Sequence, residues 1–369
     1  MKKINFKLNS IVSGIAIAVV LASGSCKKQD EQAPLASEEA IGENAGIGKN
    51  SAKTLASGQV VRLADGRFQA SVNGVTRYTG TDYIASINAA ITGLTPGRTT
   101  KEWITIRTSG TSGDSGTTLK YVSMASYTGL DFTGATMTCN SSGLYIVPIM
   151  GDRKTDLEIK NFKVAGTPRY CVWFRGCNNM RISNVNFNIS SPDMGLGLRI
   201  DNSTASTRNL TIDGTLVFKG GDNHIETVGV DGFTIGNVTS SNNRACGVLL
   251  NTSKNGTVGT VTGSYNSNGG GYATFRVANN NGPNVRCAKV YSRNSGRGFF
   301  SVSGSGGTTV TTVDIANNTG HGILLQNAYD TFVNGGTVSN SNRNIQHDNA
   351  TNCRTVVNGR TYTAYDGIW

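Results

Sequence analysis

The sequence is poor in the residues from which helical proteins are built. Charged residues make up only 15% of its 369 positions, and there are 6 prolines and 3 histidines. Long amphipathic helices need leucine, glutamate, lysine and alanine in bulk, so this composition excludes a helical bundle.

Glycine, asparagine, serine and threonine take the place of the missing residues. The 47 glycines follow no three-residue period, which excludes a collagen-like chain. Hydrophobic residues are 37% of the chain and occur in short groups along its length, which argues against wholesale disorder. The composition therefore predicts an all-β protein of short strands and tight turns.

No cluster of basic residues accompanies the formal net charge of +11. The lysines and arginines are scattered and are not interleaved with aromatic residues, so no nucleic-acid partner is expected. A basic surface of this kind suits an anionic polymer such as a uronate polysaccharide. The cysteines beyond Cys26 form no CxxC pair, so no zinc site is expected.

Residues 1–25 have the pattern of a signal peptide. Three lysines are followed by an apolar stretch at residues 11–21, which is shorter than a membrane span. The small residues before Cys26 resemble a bacterial lipobox, so we expect a lipid on Cys26 that anchors the protein to the outer membrane, at the cell surface or facing the periplasm. A secreted protein with an incidental cysteine is the alternative. We expect residues 26–58 to form a flexible tether and residues 59–369 to form the folded domain.

An internal repeat indicates the architecture. A short apolar strand followed by a turn rich in asparagine and serine recurs around five valines, Val238, Val261, Val290, Val313 and Val338. A glycine that opens an apolar strand recurs in step, at Gly247, Gly298 and Gly322. The repeat length is in the low-to-mid twenties, as in leucine-rich repeats, but the leucine pattern of those repeats is absent. Coils of this length bury their apolar face only by stacking on one another. The repeat predicts a right-handed parallel β-helix whose turn asparagines adopt left-handed conformations.

Three segments resemble a known family. Residues 82–91 look like the amphipathic cap helix that opens many pectin lyase-like proteins, and a strand follows at residues 103–106. Residues 130–137 are similar to a recurring coil of that superfamily. The resemblance covers about residues 60–355 and implies a β-helix with a short N-terminal cap helix. The superfamily holds pectate and alginate lyases, polygalacturonases, epimerases and phage tailspikes, so the resemblance leaves the activity open.

Candidate site residues follow from stacking the coils. Alignment on the strand-opening glycine gives one column, Cys246, Gly270, Arg297 and His321, and two-residue alternation adds Arg276 to the same face. Earlier coils contribute further polar residues to this predicted stripe. The candidate catalytic residues are Asp201, His224, Glu226, Arg276, Arg297 and His321. The candidate substrate-binding residues are Arg199, Asp222, Tyr272 and Phe299.

The stripe suits two kinds of chemistry. A lyase acting on uronates needs a base for the proton next to the carboxylate and a cation to stabilise the resulting anion, roles for which arginine and histidine are suited. A hydrolase needs two carboxyl groups, for which Asp201, Asp222, Glu226 and Asp231 are the local supply. The favoured interpretation is a polysaccharide lyase. A glycoside hydrolase of the same fold and a non-catalytic glycan-binding or adhesive protein are the alternatives.

The remaining expectations concern motif, cofactor and assembly. Gly320-His321-Gly322 resembles one polygalacturonase motif, but the other motifs of that family are missing around it. No cluster of three acids at ligand spacing occurs, so no metal ligands are assigned, and calcium is left open because ligands could come from different coils. The expected partners are an acidic polysaccharide and, through Cys26, a membrane, and the protein is expected to be a monomer.

Overall fold

The computed structural model describes residues 55–113, 116–190, 195–267 and 270–369. The expected signal peptide, the lipidated Cys26 and residues 27–54 of the expected tether lie outside these residues. The first strand begins at Ser57.

The described residues form one helix and a long series of strands. In chain order these are β1 (Ser57–Arg62), β2 (Phe68–Val72), β3 (Val75–Gly80), α1 (Tyr83–Gly93), β4 (Glu102–Ile106), β5 (Gly110–Gly113), β6 (Lys120–Ser123), β7 (Thr128–Asp131), β8 (Thr136–Asn140), β9 (Ile146–Asp152), β10 (Thr155–Gly166), β11 (Tyr170–Arg175), β12 (Asn178–Ile189), β13 (Leu196–Asp201), β14 (Thr207–Gly220), β15 (Ile225–Val228), β16 (Val230–Ile235), β17 (Val238–Ser241), β18 (Val248–Asn251), β19 (Lys254–Ser264), β20 (Phe275–Ala278), β21 (Val285–Arg293), β22 (Phe299–Val302), β23 (Gly306–Ala316), β24 (His321–Val333), β25 (Gly336–Ser339), β26 (Arg343–Thr351), β27 (Arg354–Val357), β28 (Arg360–Tyr362) and β29 (Gly367–Ile368).

These strands stack in parallel as a β-solenoid of about 10 turns, with 61% of the residues in strands. The predicted all-β parallel β-helix is thereby confirmed. Each turn contributes to three parallel sheets. Sheet 1 runs through β7, β16 and the first halves of β10, β12, β14, β19, β21 and β23. Sheet 2 runs through β8, β17, β25 and the second halves of the same long strands. Sheet 3 runs through β6, β9, β11, β13, β15, β18, β20, β22, the start of β24 and β26.

The core is a column of stacked apolar side chains inside the solenoid. Phe132, Phe162, Phe187 and Phe218 follow one another on successive coils, with ring centroids 4.1, 5.7 and 5.4 Å apart. All four are buried completely. Because one coil cannot bury this face alone, each coil is stabilised by the contact with its neighbours.

Asparagine at the turns has the predicted conformation. Asn242, Asn294, Asn317 and Asn340 each follow a sheet 2 strand with φ between 51° and 58°. The cost of a left-handed backbone is lower for asparagine than for most residues, which accounts for its recurrence there. At another turn the side chains form the expected ladder, in which Asn284 Nδ2 donates to Asn255 Oδ1 at 3.0 Å.

The last valine of the predicted repeat is out of register. Val238, Val261, Val290 and Val313 occupy one column of sheet 2, but the column continues at Gly336 and Val338 pairs with Ile315. The last interval of that column is therefore shorter than the spacing of the valines implies. Val338 lies two residues after Gly336 and therefore points to the same inward face, which is why its segment resembles the repeat in sequence.

Both ends of the solenoid are closed. At the N-terminal end, β1, β2 and β3 pair antiparallel, and α1 packs its buried Ile84, Ile87 and Ile91 nearby, with Asp82 Oδ1 accepting a hydrogen bond from the Ala85 amide. This helix is the predicted cap helix, and it is too short to cross a bilayer, as holds for every helical segment in the described ranges. At the C-terminal end, β28 and β29 pair antiparallel with β27 and β26.

The cysteines of the described residues are all free thiols inside the protein. They are Cys139, Cys171, Cys177, Cys246, Cys287 and Cys353. Burial raises the pKa of the Cys246 and Cys287 thiols to about 12. These side chains therefore pack as small apolar residues rather than as thiolates.

Candidate functional site

The outer face of sheet 3 brings most of the predicted site residues together. Its central outward column, in register from coil to coil, is Trp173, Arg199, Glu226, Leu249, Arg276, Phe300, Leu324 and Gln346. Neighbouring members are one strand spacing apart, about 4.8 Å. Arg199, Glu226 and Arg276 thus lie on the predicted stripe.

A second outward column of sheet 3 lies at the start of the strands. It contains Cys246, Ala273, Arg297 and His321, as the backbone hydrogen bonds between these coils show. Arg297 and His321 are neighbours, as predicted. The place predicted for Gly270 is taken by Ala273, because the preceding turn holds three more residues than the alignment allowed.

Two predicted site residues are wrong, since they face the core. His224 is completely buried, with Nδ1 2.7 Å from Ser240 Oγ and Nε2 2.7 Å from the Gly220 carbonyl oxygen. Phe299 is also completely buried and stacks on Phe275 with centroids 5.6 Å apart. Neither can contact a glycan on the outer face.

The error has a single physical cause. Each sheet 3 strand begins at a corner where two consecutive residues point inward, as His224 and Ile225 do. Two-residue alternation assumes a continuous strand, so it placed His224 and Glu226 on one face and did the same for Arg297 and Phe299. The outward partner of Arg297 across the corner is Phe300.

The predicted acids of the stripe are held by an arginine. Arg199 Nε lies 3.1 Å from Asp201 Oδ2, and its Nη1 lies 2.7 Å from Glu226 Oε1. Trp173 Nε1 donates to Asp201 at 2.9 Å, and Asn251 Nδ2 donates to Glu226 at 3.1 Å. Both carboxylates are therefore almost fully hydrogen-bonded within the protein.

The electrostatics of this group favour its charged form. Burial alone raises the pKa of Asp201, but hydrogen bonds from Ser203 and Trp173 outweigh it and the net pKa is lowered. Burial alone lowers the pKa of Arg199, but the charges of Glu226 and Asp201 outweigh it and the net pKa is raised. Such a group stabilises the sheet and is poorly suited to proton donation.

Asp222 lies in the turn before β15. Its Oδ1 is 3.6 Å from Nε of Arg244, so this carboxylate faces a cation of the next coil. Asp231, the other acid considered for hydrolysis, lies on sheet 1 and pairs with Lys254 at 3.5 Å. The four local acids are therefore distributed over several ion pairs rather than gathered around one point.

The opposite end of the face is cationic. We call Arg276, Arg297, Phe300, Tyr272 and His321 the arginine cluster. The Arg276 guanidinium lies 5.1 Å from the ring centres of both Tyr272 and Phe300, and the Arg297 guanidinium lies 4.7 Å from that of Phe300. The Phe300 ring thus holds two guanidinium groups side by side on the surface.

These two guanidinium groups lack anionic partners. Arg276 Nε and Arg297 Nη1 are buried atoms without a hydrogen-bond partner, and among the described residues no carboxylate lies within 4.0 Å of either side chain. Burial, aided by the charge of Arg276, lowers the pKa of Arg297. Two adjacent cations with unused donors have the chemistry that binding of an anion requires.

Two other stacked cations in the described chain have acidic partners. Lys160 lies over an indole ring and pairs with Asp131 at 3.2 Å. Arg293 lies over a tyrosine ring and pairs with Asp314 at 2.6 Å. The arginine cluster differs from these surface pairs in leaving its charge available.

His321 is the neutral base candidate beside the two arginines. Arg297 Nε, which can only donate, lies 3.4 Å from His321 Nδ1, and His321 Nε2 lies 2.8 Å from Gln346 Oε1, an acceptor. The imidazole therefore carries its proton on Nε2 and a lone pair on Nδ1. Burial lowers the pKa of His321, and the charges of Arg297 and Arg343 act in the same direction.

An apolar patch surrounds the cluster on this outer face. Cys246, Leu249, Ala273, Phe300 and Leu324 are buried outside the solenoid core and contact one another. Such a patch lowers the local dielectric beside Arg276 and Arg297, so the attraction of these cations for an anion is stronger here than on an open surface.

Three site residues were missed by the sequence analysis. Phe300 was passed over because alternation assigned the outward position to Phe299. Gln346 and Trp173 lie in the same column as Arg276. The sequence did not reveal this register because the turns between the coils differ in length. The apolar residues Val172-Trp173-Phe174 did indicate a strand, and a tryptophan within it was the available signal.

Other sites in the described residues are less suited to chemistry. No group of three histidine, cysteine or acidic side chains that could hold a metal ion occurs in those ranges. A shallow depression of about 520 Å³ lies outside sheet 1, lined by residues that include Asn209, Thr234, Asn255 and Arg286. Asn209 and Asn255 use their amides in the turn ladders, so we place the candidate site on sheet 3.

Comparisons with protein-family models, with curated proteins and with solved structures found no match to this chain. The resemblance to pectin lyase-like proteins consequently rests on the segments quoted from the sequence and on the fold. What the structure establishes is a parallel β-solenoid with one capping helix.

Proposed function

We propose that this protein is a carbohydrate-active protein that binds an acidic polysaccharide at the arginine cluster and cleaves it by β-elimination. The observation that carries the proposal is that the Arg276 and Arg297 guanidinium groups, which have no carboxylate partner, stack on Phe300 beside the neutral His321. The expected lipid on Cys26 would hold the protein at the outer membrane.

The two arginines supply the electrostatic part of the reaction. A uronate carboxylate between them would accept hydrogen bonds from nitrogens that now have no partner. Removal of the proton on the carbon next to that carboxylate puts negative charge on the carboxylate oxygens. Cations already in place stabilise this charge without reorganisation, which lowers the barrier.

His321 supplies the base. When Arg297 turns to the substrate carboxylate, its hydrogen bond to Nδ1 is lost and the lone pair becomes free to take the proton. The electron pair of the broken C–H bond forms a carbon–carbon double bond, and the glycosidic oxygen leaves with the electrons of its own bond. Proton return from the imidazolium or from water completes the leaving group.

Hydrolysis has less support on this face. A hydrolase needs one protonated carboxyl group with a raised pKa, whereas the pKa of Asp201 is lowered and both Asp201 and Glu226 contact Arg199. The second candidate is non-catalytic glycan binding. It is favoured by the hydrogen bond between Arg297 and His321, which keeps the base occupied in the unliganded protein.

The test is a lyase assay with a matched pair of variants. The protein is incubated with a panel of uronate polysaccharides, with and without calcium, while absorbance of unsaturated uronate ends and reducing ends are measured. We expect absorbance to rise with at least one polymer and to disappear in Arg297→Ala. Arg293→Ala, which removes an arginine paired with Asp314 on sheet 2, is the control and should retain activity.

The other outcomes separate the alternatives. Formation of reducing ends without a rise in absorbance would contradict elimination and support a glycoside hydrolase. Binding without either signal, if lost in Arg297→Ala, would establish the binding protein. If no polymer binds, or if binding is unchanged in Arg297→Ala, the arginine cluster is not the site.

A further inference from the structure

A second group of aromatic and cationic side chains lies on the same outer face, several coils from the arginine cluster. We call Arg169, Tyr170, Trp173 and Arg175 the tryptophan cluster. The ring centres of Tyr170 and Trp173 are 4.8 Å apart, the Arg175 guanidinium lies 4.7 Å from the Trp173 ring and the Arg169 guanidinium lies 5.6 Å from the Tyr170 ring. Like the arginine cluster it combines aromatic rings with guanidinium groups, but Arg175 differs in that its Nη2 pairs with Asp152 at 2.9 Å, while its Nε has no partner.

A shared defect in hydrogen bonding links the two clusters. Buried guanidinium nitrogens without a partner occur, among the described residues, in Arg175, Arg276 and Arg297. All three arginines point outward from sheet 3, although the chain has arginines on all of its faces. Unused donors at buried atoms are costly, so their confinement to one face points to a ligand of that face.

The register fixes how far apart the clusters are. Trp173 and Arg276 occupy the same column, joined through Arg199, Glu226 and Leu249, which makes four strand spacings. Four spacings are about 19 Å. Phe300 is one spacing further.

The surface between the clusters is occupied by the Arg199 group, which carries one excess negative charge because one arginine pairs with two carboxylates. Arg199 is committed to Asp201 and Glu226, and the next coil presents the buried Leu249. A ligand that uses both clusters runs along the solenoid axis and places its anionic groups at the two ends, beside the arginines of each cluster. A sugar ring in an extended glycan spans a distance close to one strand spacing, so such a ligand has about five or more sugar residues.

We propose that the tryptophan cluster is a second subsite for the same acidic glycan, and that the protein prefers chains long enough to reach from Trp173 to Arg276. This inference rests on the proposed function of the arginine cluster and adds to it the direction and the minimum length of the bound chain. Two linked contacts bind more tightly than either alone, but only when one molecule spans both.

The test is the dependence of affinity on chain length. Oligogalacturonates and alginate oligosaccharides, from dimer to octamer, are titrated calorimetrically into the full chain carrying His321→Asn, which prevents cleavage. In this background we expect hexamers and longer oligomers to bind about tenfold more tightly than trimers, the gain of one aromatic contact. Trp173→Ala should remove this gain and leave trimer affinity unchanged, and Trp173→Phe should retain most of it.

A control variant separates local from general effects. Tyr291→Ala removes an aromatic ring that stacks with Lys289 and Arg293 on sheet 2, and it should leave the length dependence intact. Thermal unfolding of each variant confirms that the solenoid is preserved.

The outcomes distinguish the two proposals. A length-dependent gain that persists in Trp173→Ala, or affinity that is equal for trimers and octamers, would overturn the second subsite while leaving the arginine cluster as the site. The same conclusion follows if Arg297→Ala abolishes all binding while Trp173→Ala leaves the affinity of every oligomer unchanged. Absence of binding by every oligomer would overturn both proposals.

Discussion

Arg297 Nε and His321 Nδ1 are 3.4 Å apart on adjacent coils, so the cation and the base of the proposed reaction are hydrogen-bonded to each other. Gln346 accepts from the opposite side of the imidazole and also receives a hydrogen bond from Arg343 Nη1 at 3.1 Å. The tautomer of His321 is thus determined by three residues on two coils.

Gln346→Glu should shift the acid side of the activity profile. A carboxylate 2.8 Å from Nε2 stabilises the imidazolium, so the pKa of His321, now lowered by burial, should rise. Because the base must be neutral, activity should be lost at a higher pH than in the unmodified protein. An NMR titration of His321 together with the pH profile of the lyase assay measures both effects. A raised pKa without a shifted profile would contradict His321 as the base.

The neighbours Phe299 and Phe300 should respond differently to replacement by leucine. Phe300→Leu removes the ring that holds Arg276 and Arg297, which should weaken glycan binding about tenfold, as two cation–π contacts of up to about 1 kcal/mol each imply. Phe299→Leu leaves a cavity in the core and should lower the free energy of unfolding by about 1 kcal/mol with binding unchanged. Calorimetric titration and chemical denaturation of both variants make the comparison. Equal loss of binding would show that the effect of Phe300 is structural.

Glu226→Gln and Asp201→Asn should affect stability more than activity. Each change removes one charged partner of Arg199 in a partly buried group, which we expect to cost about 1–3 kcal/mol of unfolding free energy. Activity per folded molecule should remain. Urea denaturation and the lyase assay on the same preparations check both statements. Activity abolished in either variant without loss of stability would support a hydrolase built on these carboxylates.

The buried His224 should make the solenoid sensitive to acid. Its pKa is lowered by burial from 6.5 to about 4, so below pH 6.5 the unfolded chain binds a proton that the folded protein does not. The free energy of unfolding should therefore be highest above pH 6.5 and fall as the pH decreases toward 4, by up to about 3 kcal/mol. Denaturation curves at pH 7 and pH 5 should differ less for His224→Gln than for the unmodified protein. An unchanged difference would contradict the assignment of this proton to His224.

The fold could be read from the sequence because its signal repeats in every coil. The turn asparagines and the strand-opening glycines at Gly247, Gly298 and Gly322 report the same local geometry many times, so one error of register, as at Val338, does not change the architecture. The cap helix at Tyr83–Gly93 is equally local, since Asp82 and an apolar pattern of 3.6 residues are enough to indicate it.

The site could be predicted only in part because it depends on which way single side chains point. Arg297 and His321 were found because each directly precedes a strand-opening glycine, Gly298 or Gly322, which sets their register. His224 and Phe299 were misplaced because a corner with two inward residues interrupts the alternation on which the prediction relied. Trp173, which donates to Asp201, and Asn251, which donates to Glu226, lie 28 and 25 residues away in the sequence, so these contacts depend on the length of the intervening turns.

The antiparallel strands also give the solenoid defined ends. A stack of parallel coils has no intrinsic end, since each terminal strand presents unpaired backbone groups that can template another strand. Here β1–β3 with the helix at one end, and β28 and β29 at the other, occupy those positions with strands of opposite direction. The terminal coils therefore present fewer unpaired backbone groups to another strand than a bare stack of parallel coils would.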